Sequence, residues 1–157
     1  GKKKTNQSNE FIAIWDVPYQ SGELKAIGFK GKKQVNTKIL QSTNEVSQIK
    51  LSADRNQIKA NGQDLSYINI ELTDDKGIRN PKAENLLKFE IEGPGTIVGV
   101  GNANPLSIGS YQLTQRKAWQ GKCLVIIKSD KKAAEIKLKV FSAGLISESI
   151  ILQSVSE

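Results

Sequence analysis

Residues able to do chemistry are few in this sequence, and their types decide which reactions are open. Histidine is absent and cysteine occurs once, at Cys123. Histidine general-base catalysis, Ser-His and Cys-His nucleophile pairs, the usual zinc sites and any internal disulfide are therefore excluded. Two carboxylate pairs invite a test for glycoside hydrolysis, which needs an acid and a base or nucleophile ~5–9.5 Å apart in a cleft. Asp74 and Asp75 lie in the turn sequence Asp-Asp-Lys-Gly and are expected to face solvent. Glu90 and Glu92 share the polar face of an alternating strand. Neither pair has the apolar surroundings that would raise one pKa, so no catalytic residue is assigned. The glycines of Gly93-Pro94-Gly95 and Gly99-Val100-Gly101 do not form a phosphate loop. Asn104 stands where the third glycine of a dinucleotide loop belongs, Pro105 follows it, and no Gly-Lys-Ser/Thr is present. Their expected role is structural, allowing bulges and positive φ where strands change sheet.

One constellation could hold a neutral sugar. Asn102 and Asn104 in the Gly101-Asn102-Ala103-Asn104 loop, with Arg116 and Trp119 downstream, offer amide and guanidinium hydrogen bonds beside an aromatic platform. The competing reading is that the asparagines cap turns. Trp15 alternates within an apolar stretch and is expected in a core. Cys123 adjoins Leu124-Val125-Ile126-Ile127 and is expected to be a buried, inert thiol. Asn6-Gln7-Ser8 matches a glycosylation sequon without a secretion signal to support it.

The elements that would position these residues read as β throughout. Short apolar alternations are broken by turn residues, and a helical period is hard to find, one turn over 81–87 being the only candidate. Strands are predicted over 11–17, 23–30 and 35–40. The polar stretch Gln41-Ser42-Thr43-Asn44 then separates two units, 1–42 and 43–157. In the second unit strands are predicted over 46–51, 57–60, 68–72, 87–91, 96–100, 111–114, 123–128, 136–140 and 147–153. That spacing of ~8–12 residues indicates an all-β, immunoglobulin-like β-sandwich of the bacterial, invasin-like type. The first unit has too few strands for an independent fold. It reads as the C-terminal half of a second immunoglobulin-like domain, with an edge open to strand pairing between copies.

The 157 residues carry 23 basic and 16 acidic side chains, a net charge of +7. The excess sits in Lys2–Lys4 and in Lys30, Lys32 and Lys33, a tail and a hairpin turn. Aromatics make up 6% and are not interleaved with the lysines, so no nucleic-acid groove is indicated. No stretch approaches the ~20 apolar residues of a membrane span. The absence of methionine suggests a piece of something longer.

Two stretches carry a family likeness. Trp15-Asp16-Val17-Pro18-Tyr19-Gln20-Ser21-Gly22-Glu23-Leu24-Lys25-Ala26 resembles a segment of an immunoglobulin-like domain behind the catalytic barrel of glycoside hydrolase family 2 β-galactosidases, with Ser21 in place of the usual proline. The set from Leu51-Ser52-Ala53-Asp54-Arg55 through Gly99–Pro105 to the segment from Gln115 to Val125 resembles the C-terminal domain of the same enzymes from Bacteroides-type bacteria. The resemblance implies a non-catalytic C-terminal region of a β-galactosidase, its two catalytic glutamates lying on a barrel outside this chain. It further implies a periplasmic or extracellular setting and the other domains of the parent glycosidase as partners; from the residues themselves no cofactor or metal is expected. Three roles are open: an accessory domain supporting the barrel, a carbohydrate-binding module for galactoside polymers using Asn102, Asn104, Arg116 and Trp119, and a surface adhesion repeat.

Overall fold

A computed structural model describes residues 1–156. The chain forms two compact units, Gly1–Ser42 and a larger one beginning at Thr43.

In the first unit β1 (Glu23–Lys30) and β2 (Lys33–Gln41) form an antiparallel hairpin through the Gly31-Lys32 turn. Gly31 takes a φ of +63°, which a tight turn requires and glycine tolerates. Ile27, Phe29 and Ile39 alternate onto one face and all three are exposed, so this unit has no core of its own. The strand predicted over 11–17 does not form. Asn6 caps a single 3-10 turn at Gln7–Asn9, and Glu10 and Phe11 end it in the left-handed region. The chain then runs irregularly to Gly22, because an alternating segment becomes a strand only against a partner edge. Trp15, predicted to be core, is correspondingly half exposed, with the Lys3 ammonium 5.7 Å from its ring.

The second unit is an immunoglobulin-like β-sandwich. Further strands are β3 (Gln48–Ala53), β4 (Gln57–Lys59), β5 (Leu65–Thr73), β6 (Leu86–Glu92), β7 (Gly95–Gly101), β8 (Gln115–Lys117), β9 (Lys122–Ser129), β10 (Glu135–Phe141) and β11 (Glu148–Val155). One sheet has the order β4-β11-β10-β6-β8 and the other β3-β5-β9-β7. Neighbours are antiparallel except β11 and β4. Alternation fixes which side chains meet between the sheets. Ile68, Ile70 and Leu72 of β5, Cys123, Val125 and Ile127 of β9, and Ile136, Leu138 and Val140 of β10 face inward and are buried. The opposite face of β10 carries Lys137 and Lys139, which reach Glu92 and Glu90 across the β6 register at 3.9 and 3.8 Å. Exposed pairs of this kind contribute at most about 1 kcal/mol each.

Two predicted features move. The strand expected over 111–114 is a turn, and the edge strand begins only at Gln115. Asp74, expected in solvent, is fully buried, because it continues the inward parity of β5 after Leu72. Its Oδ1 accepts hydrogen bonds from the Lys76 and Ile78 N–H groups at 3.0 and 2.9 Å. Its Oδ2 accepts from the Asn44 N–H at 2.9 Å and the Thr43 hydroxyl at 3.3 Å. The Asn44 N–H, then those of Ile78 and Lys76 and the Thr43 hydroxyl, outweigh the cost of burial and hold the carboxyl below its ordinary value of 3.8. Asp75 stays exposed.

Candidate functional site

The four predicted sugar-site residues lie on β8, on the loop of residues 102–114 that leads into it, and on the hairpin that follows. Asn102 is buried, its amide fully used: Nδ2 donates to the Lys117 carbonyl at 2.8 Å, and Oδ1 accepts from the Asn104 N–H at 3.1 Å. Asn104 repeats the device one turn on, its Oδ1 accepting from the Leu106 N–H at 2.9 Å. Both are Asx turns, which suit short amide side chains, and Ala103 between them takes a left-handed φ of 58°.

Arg116 is paired opposite Leu87 across the β6–β8 register, which points its side chain inward. It is 95% buried, at 5% exposure. Nη1 donates to the Gly109 carbonyl at 2.8 Å and to the Ser110 carbonyl at 3.3 Å, and the guanidinium lies 4.8 Å from the Tyr111 ring centroid. Cation–π contact of this kind contributes about 0.5–2 kcal/mol. Nε and Nη2 meet no hydrogen-bond partner among the described residues. Arg116 therefore clamps the loop from beneath, with Tyr111 as its lid. The Val100 N–H donates to the Tyr111 carbonyl at 2.7 Å and closes the loop at its base.

Trp119 is half-buried and opens a two-residue hairpin. Trp119 and Lys122 exchange both backbone hydrogen bonds at 2.9 Å, and Gln120 and Gly121 between them take φ of 50° and 72°. Positive φ at both central positions defines the turn type that matches strand twist. A Cβ on Gly121 would run into the Asn80 carbonyl oxygen. The Gly121 N–H also donates to the Ala83 carbonyl at 2.9 Å, so the hairpin tip is stitched to the segment before β6.

Asn102, Asn104 and Arg116 thus meet at one loop, the two amide Oδ1 atoms and Arg116 Nη1 engaged with its backbone. Cys123 lies close by, donating to the Gly101 carbonyl at 3.1 Å, and burial pushes its thiol up to about 12. That leaves essentially no thiolate at neutral pH. Glu90 and Glu92 are engaged with lysines on the outer sheet face. Among the described residues no group of three or more His, Cys, Asp or Glu could hold a metal ion, and no helix is long and apolar enough to cross a membrane.

Sequence reasoning missed the tip of the same loop. Residues 102–114 contain no Lys, Arg, Asp or Glu, in a chain that is 25% charged. Leu106 and Ile108 nevertheless project into solvent. The missing charge was a visible signal.

Comparison with known proteins places this architecture. The chain is 37% identical over 145 residues to the β-galactosidase BoGH2A of Bacteroides ovatus, covering 92% of this chain and 17% of that protein. A solved glycosyl hydrolase family 2 member from Bacteroides cellulosilyticus superposes with a TM-score of 0.93 at 43% identity, covering 99% of this chain and 20% of that one. A β-glycosidase from Bacteroides vulgatus gives a TM-score of 0.84 at 33% identity, covering 90% of this chain and 18% of that one. The chain thus spans less than a quarter of the length of each of these relatives. A family described only as a domain of unknown function matches residues 1–36. The family of the sandwich is set by the match over residues 49–151: the chain belongs to the glycoside hydrolase family 2 C-terminal domain 5 family.

Proposed function

We propose that this chain is a non-catalytic accessory β-sandwich region of a secreted, multidomain β-galactosidase, supporting the catalytic barrel, its assembly or the approach of substrate to it. The observation that carries this reading is that Asn102, Asn104 and Arg116, three of the residues that could have formed a site, hold the backbone of their own loop and of β8. Asn102 Nδ2, Asn104 Oδ1 and Arg116 Nη1 are spent on backbone groups of β8 and the loop, which is what a rigid scaffold needs. The name of the Bacteroides ovatus relative supplies the activity class, β-galactoside hydrolysis, and the relatives' greater length supplies room for a barrel of ~200 residues or more. The exposed apolar face of the β1–β2 hairpin fits a unit completed by strands from elsewhere in such a polypeptide. A periplasmic or cell-surface location belongs to the same proposal.

Calorimetric titration of the chain with β-galactoside oligosaccharides and galactan tests it against the carbohydrate-binding reading. The expected result is no saturable heat at millimolar sugar, which corresponds to binding weaker than about 4 kcal/mol. Saturable binding with a tryptophan fluorescence change, abolished by Trp119→Ala, would replace the scaffold with a targeting module.

A further inference from the structure

We propose that the 102–114 loop is the docking element of the sandwich: Leu106, Ile108 and Tyr111 seat on an apolar, uncharged face of the catalytic portion of the same polypeptide, N-terminal to this chain. The inference rests on the accessory-domain reading and names the surface that does the work.

Leu106 is 84% exposed, Ile108 is fully exposed and Tyr111 is 61% exposed, all on one short loop. Absence of charge over residues 102–114 is the compositional mark of the core of a protein interface. A solvent loop has no reason to hold three large apolar side chains in water. The loop is also fixed in place. Asn102 and Asn104 set its first turns, Arg116 grips the Gly109 and Ser110 carbonyls, and the Val100 N–H ties down Tyr111. A preformed loop loses little conformational freedom on docking.

Composition and size select the occupant. An uncharged loop calls for a partner face that is itself apolar and uncharged. A sugar would want an open aromatic face, but Tyr111 has the Arg116 guanidinium against its ring and the outer tips are aliphatic. Three side chains cover far less than the ~800 Å² per partner of a free complex. They are enough when the partner is tethered, since a linked surface meets the patch at an effective concentration of about millimolar. A polypeptide as long as the Bacteroides ovatus relative, of which this chain spans 17%, supplies such a tethered surface.

The test compares hydrogen exchange over residues 102–114 in the full-length polypeptide and in this chain alone, with the double variant Leu106→Glu/Ile108→Glu and the uncharged Leu106→Ser/Ile108→Ser. Protection at least tenfold greater in the full-length protein is expected, lost in both variants and kept in the control Ile146→Glu, whose side chain is exposed on another loop. Cleavage in the 41–44 segment by added protease should accelerate in the same variants. Equal exchange in the two contexts, or variants indistinguishable from wild type, would overturn the proposal. So would protection that vanishes only as a dimer dissociates in sedimentation, which would make a second copy the occupant. Should deleting residues 43–157 destabilise the enzyme while the loop variants do not, the accessory reading stands and the loop assignment fails.

Discussion

Gly93→Ala unfolds the sandwich or costs it at least ~3 kcal/mol. Gly93 joins β6 to β7 at a φ of +93°, and a Cβ there would be driven into the Glu135 carbonyl oxygen at the start of β10. Backbone on both sides has little room to yield. Gly95 packs its Cα so closely that a Cβ would come 2.8 Å from Cγ2 of Ile136, a fully buried core residue. The Asp130 N–H donates to the Pro94 carbonyl at 2.9 Å and pins the connection from the other side. Gly144→Ala is the natural control. It has a comparable φ of +77°, but open space around the added methyl, so it carries only the left-handed penalty of ~1–2 kcal/mol. Urea unfolding of the two variants separates steric from conformational cost. Equal losses would mean that the β6–β7 connection is not as tightly held as its contacts indicate.

The second large effect is at Asp74. Asp74→Ala leaves the N–H groups of Asn44, Lys76 and Ile78 without their side-chain acceptor and removes one of the Thr43 hydroxyl's acceptors. The expected result at pH 7 is a fall in Tm of roughly 10 °C, less in Asp74→Asn, which keeps one acceptor oxygen. The pH dependence has a definite sign. The folded carboxyl titrates below the unfolded value of 3.8, so its contribution is fully present above that value and is lost as pH falls through the lower, folded one. The gap between wild type and Asp74→Ala therefore narrows on going from pH 7 to below pH 3. A gap independent of pH would show that the ionised carboxylate is not what holds the turn.

Most of the sandwich was legible because its strands alternate without interruption. Ile68-Asn69-Ile70-Glu71-Leu72 and Ile136-Lys137-Leu138-Lys139-Val140 can be placed in one register only, since a slip of one residue would bury Asn69 and Glu71 in the first and two lysines in the second. Alternation in the 11–17 stretch was equally visible, yet no strand pairs with it among the described residues, so the pattern misled. Tyr111–Thr114 misled for a different reason. Tyr111 is drawn onto Arg116 and its carbonyl onto Val100, which bends the chain before the edge strand can start. Parity would have corrected one assignment. Asp74, just past the end of β5, keeps the inward parity of Leu72 and is buried. Reading it as a solvent-facing group followed residue type over position. The burial of Cys123 was legible from its apolar neighbours, and the structure places it 4% exposed in the core.

The direct test of the accessory role is to remove residues 43–157 from the full-length polypeptide and measure Tm, oligomeric state and kcat/KM on an aryl β-galactoside. The expected result is a catalytic portion that still hydrolyses the substrate but has a lower Tm, an altered assembly or a reduced kcat/KM. A truncated enzyme unchanged in all three would contradict an accessory role for this sandwich.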